Sequence, residues 1–169
     1  MDRMSLLDRL NTGWRRKLPL ILQTEASECG LASICMIANH FGNQTDLATL
    51  RRRFGMSLKG ATMRELIRIA DQIGFATRPL RLELEELGQL RTPCILHWDM
   101  NHFVVLASAD AKSVTIHDPA MGIRTMPVAA AGRHFTGIAL ELIPTAKFET
   151  AAAAPPGSWL AADRAYQRA

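Results

Sequence analysis

From residue 29 onward, apolar side chains return at steps of three and four. Leu31, Ile34, Cys35, Ala38 and Phe41 share one face of a helix that begins near Cys29. Ser27 and Glu28 stand at its start, where an N-cap and an acidic first-turn residue are favoured. Gly42 and Asn43 close it with a left-handed cap. Thr45 or Asp46 caps a second helix carrying Leu47, Leu50 and Phe54. Gly60 precedes a third, in which Met63, Leu66, Ile67, Ala70 and Ile73 form a stripe read as a core face, and Gly74 stops it.

After Gly74 the period shortens. Residues 75–82 read as a strand and 83–90 as a short helix or turn. Residues 93–98, 102–108, 113–117, 123–128 and 136–142 read as further strands. Turns at 99–101, 110–112 and 118–122 separate the first four of these, and the strands are expected to run as a meander. Helices first and antiparallel strands second predict an α+β domain rather than alternating β-α-β units.

The two ends read differently. Residues 1–17 place Leu6, Leu7, Leu10 and Trp14 at helical spacing and end in Arg15, Arg16 and Lys17. They suit either a helix packed on its own domain or an element lying at a membrane surface. From Pro144 the composition shifts to an Ala-, Pro- and Gly-containing stretch, so 144–169 reads as a linker or tail and 18–143 as the domain.

Of the net charge of +4, residues 1–17 carry +3, which leaves a nearly neutral domain. That is not the broad basic face, interleaved with aromatics, of a nucleic-acid binder. With 48 % hydrophobic and 21 % charged residues, the 169-residue chain has the makings of a packed core and not of a disordered or coiled-coil chain. Three cysteines suggest no disulfide framework, and the spacing of Cys and His matches no zinc motif. No apolar run approaches a membrane span, and no signal peptide is evident. The expectation is a soluble, intracellular domain that needs no metal.

The chemistry gathers around Cys29. A cysteine at a helix N-terminus meets exposed N–H groups and the positive end of the dipole, which favour the thiolate. Gly30 is expected to leave its surroundings open, while Cys35 and Cys94 sit in apolar patterns and read as core. Gln23, six residues before Cys29, can aim its amide at the oxygen of a carbonyl under attack and form an oxyanion hole with the Cys29 N–H. For the base, His102 opens the apolar strand Phe103, Val104, Val105, Leu106, and His97 is its main competitor. His40 and His134 read as structural or solvated. Asp118, extended before Pro119, suits the orienter of the base. His117, its neighbour, is sent to the opposite face by alternation.

The order Gln, Cys, His, Asp resembles papain-like cysteine peptidases. The local strings are closer still to one group. Gln23-Thr24-Glu25-Ala26-Ser27-Glu28-Cys29-Gly30 is the first. Pro93-Cys94-Ile95-Leu96-His97-Trp98-Asp99-Met100-Asn101-His102-Phe103-Val104-Val105-Leu106 is the second. His117-Asp118-Pro119-Ala120 and Phe135-Thr136-Gly137 follow. Together they resemble the C39 peptidases, the N-terminal domains of peptidase-containing ABC transporters of the colicin V and bacteriocin exporter type.

That resemblance implies a papain-like fold over about residues 18–143, with Cys29 as nucleophile, His102 as base, Asp118 as its orienter and Gln23 as oxyanion donor. It implies cleavage of a precursor peptide after a Gly-Gly pair, the precursor carrying an amphipathic helical leader. The place implied is the cytoplasmic face of the bacterial inner membrane, beside the transmembrane and ATPase domains of the same transporter. No cofactor is implied for the peptidase; ATP belongs to the nucleotide-binding domain. Since the sequence stops at Ala169, the expectation is one domain of a longer transporter. Two alternatives stand beside this one, a noncatalytic C39-like docking domain and a papain-like acyl transferase. The first typically lacks the cysteine that is present here.

Overall fold

The computed structural model describes residues 17–55 and 60–150. The readings made for residues 1–16 and 151–169 lie outside them. Three helices come first. α1 (Cys29–His40) follows a single 3-10 turn (Ala26–Glu28), α2 spans Leu47–Phe54 and α3 Met63–Ile73. Of the two candidate caps on α2, Asp46 is the one used, its carboxylate accepting the Thr49 N–H at 2.6 Å. Thr62 caps α3 in a reciprocal arrangement with Glu65. Gly74 ends α3 at φ 105°, and a Cβ there would lie 2.6 Å from the Phe148 nitrogen. Both the conformation and the space demand glycine.

The strands are β1 (Phe75–Arg81), β2 (Cys94–Trp98), β3 (His102–Ala109), β4 (Ser113–Asp118), β5 (Gly122–Pro127) and β6 (Phe135–Pro144). A 3-10 segment, Leu84–Gln89, joins β1 to β2, and a one-turn helix α4 (Val128–Ala131) joins β5 to β6. All pairs are antiparallel, in the order β1-β6-β2-β3-β4-β5.

The meander therefore holds for β2 to β5 only. β6 does not pair with β5; it crosses the sheet and inserts between β1 and β2. Burial explains the choice. β5 alternates between half-buried and exposed positions and suits an edge, whereas Ala139 to Leu142 of β6 are all buried and need a partner on each side.

Both faces of the sheet are covered. Ile95, Phe103, Val105, Leu140 and Leu142 pack with α1, α2 and α3. Cys94, Leu96, Trp98, Val104, Leu106 and Ala139 pack on the other side with Leu87 and Ala131. Cys35 and Cys94 are fully buried in these two cores. Burial pushes the Cys35 thiol up to about 12 and the Cys94 thiol upward as well, so neither is a nucleophile at neutral pH. Beyond β6, the Thr145 N–H and hydroxyl donate to the Gly74 carbonyl. Phe148 packs its ring on Phe75 at 4.5 Å, so residues 145–148 belong to the packed body. Among the described residues no helix is long and apolar enough to cross a membrane.

Candidate active site

Cys29 is the first residue of α1, and that helix packs on β3. Gly30 contributes to the fit, though not by leaving open space. A Cβ at Gly30 would stand 2.7 Å from Leu66 Cδ2 and 3.3 Å from Phe103 Cδ2. Glycine at this position lets the start of α1 sit close against α3 and β3, which brings Cys29 to the mouth of β3.

His102 opens β3 and Asp118 closes β4. Because the two strands are antiparallel, with Val105 opposite His117, the start of one and the end of the other meet at the same end of the sheet. There the His102 Nε2–H donates to Asp118 Oδ1 at 2.8 Å. With Nε2 turned to Asp118, Nδ1 is the ring atom left for Cys29, whose side chain also acts on the ring electrostatically. Burial alone would lower the His102 value, but the Asp118 carboxylate and the Cys29 sulfur outweigh it and raise it from 6.5 to about 9. An imidazolium beside a cysteine sulfur is the arrangement that makes the sulfur a nucleophile.

Asp118 is held on all sides. It is buried, which favours the neutral acid. Its Oδ1 also accepts the Ala120 N–H at 2.9 Å, and together with His102 this draws its value below the usual carboxylate range. Arg124 Nη1, on the next strand, lies 3.7 Å from Oδ2. Nothing in the local sequence marks Arg124; it reaches Asp118 only through the pairing of β4 with β5.

Gln23 is fixed between the two halves of the site. Its N–H donates to the Pro119 carbonyl at 2.9 Å, which ties it to the turn after Asp118. Thr24 and Glu25 are bound to Glu28, the residue before Cys29. The Gln23 Oε1 is buried and finds no hydrogen-bond partner among the described residues. Turning the carboxamide over places Nε2 where Oε1 stands, at no change of shape.

Of the other histidines, His97 bonds Thr136 Oγ1 at 2.8 Å through Nδ1 and lies against the Phe103 ring, away from Asp118. His117 turns to the Pro19 carbonyl at 3.0 Å, as alternation predicts. His134 stacks on Trp98 and bonds Asp99. His40 is the last residue of α1. Beside the site runs an apolar cleft lined by Ala61, Met63, Met100, Phe103 and Ile138, with Asn101 next to His102. Residues 99–101 form the β2–β3 turn, and Asp99 and Met100 hold positive φ there, which leaves the Met100 side chain exposed.

The largest departure from the sequence reading is Glu28. At the N-cap position of α1 its side chain makes no cap to that helix and closes the capping box of the 3-10 turn before it, accepting the Glu25 N–H. Its carboxylate is buried and turned back over the preceding residues and Arg51.

The match to known proteins covers this whole unit. The family model described as Peptidase C39 family matches residues 17–147. The colicin V secretion/processing ATP-binding protein CvaB of Escherichia coli is 50 % identical over 145 residues, which is 86 % of this chain and 21 % of that protein. The probable microcin-H47 secretion/processing ATP-binding protein MchF of the same organism is 50 % identical over 143 residues, 85 % of this chain and 20 % of that protein. The chain thus spans about one fifth of the length of these curated relatives. Among solved structures, a double glycine motif protease from an AMS/PCAT transporter, in complex with the leader peptide, aligns with a TM-score of 0.72 and 38 % identity. That alignment covers 79 % of this chain and 96 % of the other. The peptidase domain of Streptococcus ComA, a bifunctional ABC transporter, aligns at 0.69 with 25 % identity over 76 % and 99 % of the two chains. With a family match across most of its length and relatives identical at half their aligned positions, the chain belongs to the Peptidase C39 family and is a cysteine peptidase of papain-like α+β fold.

Proposed function

We propose that this peptidase removes the leader of a secreted precursor peptide by cutting after a Gly-Gly pair, and that it does so as one domain of an ABC transporter that exports the product. The site lies on the cytoplasmic face of the bacterial inner membrane in this reading, with the transmembrane and ATPase domains of the same transporter as its partners. The observation that carries the chemistry is the His102 ring bonded to Asp118 and raised to about 9 by Asp118 and Cys29 together.

The Cys29 thiolate attacks the carbonyl carbon of the second glycine. Negative charge collects on the carbonyl oxygen, which the Gln23 amide and the Cys29 N–H stabilise. The His102 imidazolium gives its proton to the leaving amine, and a thioester to Cys29 remains. His102, now neutral, takes a proton from water, which hydrolyses the thioester and restores the thiolate–imidazolium pair. Asp118 keeps the ring oriented throughout and stabilises its charged form. These steps use no metal or cofactor.

Glycines suit a narrow approach to a buried sulfur, but they bury too little surface to supply affinity. The leader supplies it, laying an amphipathic helix along the apolar cleft of Met63, Met100, Phe103 and Ile138. The relation to the leader-bound protease supports this reading. Incubation of the chain with double-glycine precursors, read by mass spectrometry, tests it. The expected products are a leader ending in Gly-Gly and a mature peptide, with one water added between them. An intact precursor, or a leader joined to another amine, overturns it. A short Gly-Gly peptide without a leader is expected to be a very poor substrate, and a detached leader a competitive inhibitor. Efficient cleavage of the short peptide would instead indicate a general peptidase.

A further inference from the structure

Two buried carboxylates among the described residues have no part in the mechanism, Glu141 within β6, paired with Arg78, and Glu28 beside the nucleophile. Glu28 is 1 % exposed and stands directly before Cys29. Its Oε2 accepts three hydrogen bonds, from the Thr24 N–H at 3.0 Å, the Thr24 hydroxyl at 2.8 Å and the Glu25 N–H at 3.0 Å. Its Oε1 accepts from Arg51 Nε, on α2. Arg51 Nη2 also donates to Thr24 Oγ1 at 2.7 Å, which closes a ring of contacts. Burial would push the carboxyl up, but Arg51, Thr24 and Glu25 outweigh it and hold it at about 2. Glu28 is therefore ionised whenever the protein is folded near neutrality.

The ring has a directional consequence. A buried carboxylate with four donors fixes the backbone of residues 24 and 25 relative to the first turn of α1. Gln23 is the next residue along, and its own N–H is fixed from the other side by Pro119. The carboxamide of Gln23 thus hangs between two anchors, one on the Cys29 helix and one on the Asp118 turn. Oxyanion stabilisation depends on the donor standing within a few tenths of an ångström of the developing charge before the reaction begins.

We propose that Glu28 and Arg51 are positioning residues for catalysis, a clamp that registers the Gln23 oxyanion donor over Cys29. Neither touches the substrate. The proposal rests on the reading of Cys29 as nucleophile and Gln23 as donor, but it does not depend on which peptide is cut. An amide cannot replace the carboxylate in the clamp. Its single oxygen can serve either the three donors of residues 24 and 25 or Arg51, while its NH2 meets a donor on the remaining side.

The test uses Glu28→Gln and Arg51→Gln in the full chain, each alone and combined with Gln23→Ala, with thermal melting to confirm the fold. Two reagents report on Cys29 without any leader, and mass spectrometry locates the modification. p-Nitrophenyl acetate acylates the sulfur through a tetrahedral oxyanion. Methyl methanethiosulfonate transfers its methylthio group to the thiolate by displacing methanesulfinate, with no oxyanion on carbon. Acylation is expected to slow by about 10- to 10²-fold in each single variant, the range for a misplaced catalytic group, with the thiosulfonate rate unchanged. In the Gln23→Ala background neither substitution is expected to slow acylation further.

Equal slowing of both reactions would show general damage to the Cys29 and His102 pair and overturn the clamp. So would multiplication of the Glu28 and Gln23 effects. If Glu28→Gln fails to fold, Arg51→Gln decides alone, since the Arg51 side chain is 42 % exposed and its loss leaves Glu28 its other three donors. Wild-type acylation in Gln23→Ala would remove the donor and the clamp together. A wild-type chain that is acylated normally but leaves double-glycine precursors intact would refute the substrate reading and leave the clamp standing.

Discussion

Replacing Asp118 by Asn isolates the electrostatic part of the mechanism. In the native site the His102 Nε2–H donates to Asp118 Oδ1 at 2.8 Å, and His102 titrates at about 9 instead of 6.5. That gap is worth about 3 kcal/mol of preference for the imidazolium. Burial opposes the charge, so the preference comes from Asp118 and Cys29 acting against it. An asparagine keeps the size of the side chain and removes its charge. Were His102 to fall back to an ordinary histidine value, about 3 % of it would be protonated at pH 8, a loss of about 30-fold from the native population. Burial, which lowers the value, and Cys29, which raises it, both remain in the variant, so about 30-fold sets the scale of the protonation effect. The alkaline limb of kcat/KM is expected near pH 9 in the wild type and displaced toward neutrality in Asp118→Asn. The assay is precursor cleavage across that range, with alkylation of Cys29 by iodoacetamide measured alongside. Alkylation should fall less in Asp118→Asn than in His102→Ala, where no imidazole remains. An alkaline limb that stays near pH 9 in the variant would refute the account of how His102 is charged. Equal loss of alkylation in both variants would make Asp118 a structural residue.

Cys29→Ala is expected to abolish cleavage while still binding the leader, measured by calorimetry, because chemistry and leader affinity use different surfaces. His102→Ala should be nearly as inactive, with His97→Ala as the control, since His97 is engaged by Thr136 rather than Asp118; the reverse pattern would reassign the base. Gln23→Ala should lower kcat by about 10²–10³ with KM little changed, as for one lost oxyanion donor, and normal turnover would exclude it from the oxyanion hole. Glu28 also makes a stability prediction with a definite sign. Its folded value of about 2 lies below the ordinary 4.5, so its contribution is complete above pH 4.5 and disappears as pH falls through about 2. Glu28→Gln should lose up to about 3 kcal/mol of unfolding free energy at neutral pH and show a flatter acid dependence. Urea unfolding at neutral and acid pH measures both, and an unchanged acid slope would mean that Glu28 is not held ionised by the fold.

Much of this protein is written locally. The three-and-four spacing from Leu31 to Phe41, the stripe ending at Ile73 and the glycines at 42 and 74 place the helices, because helix formation and its termination depend on near neighbours. The same locality marks Cys29 at a helix start, His102 at a strand mouth and Asp118 before a proline, each distinguished by its position in its own element. What joins them is not local. His102 and Asp118 are 16 residues apart and meet through the register of β3 on β4, while Cys29 reaches them because Gly30 lets α1 close on Leu66 and Phe103. β6 illustrates the limit. Its strand pattern is plain in the sequence, but its place between β1 and β2 follows from the need to bury both of its faces and pair both of its edges, a property of the assembled sheet. Glu28 shows the limit at the site itself. As a string it reads as a helix-start acid, and only the packing of α2 brings Arg51 from 23 residues away to make it a buried ion. Arg124 beside Asp118 and Thr136 beside His97 are likewise products of strand pairing. Composition and periodicity determine which elements form and which side chains carry reactive groups. The partners that charge, orient and restrain those groups come from distant parts of the chain, and only close packing in three dimensions selects them.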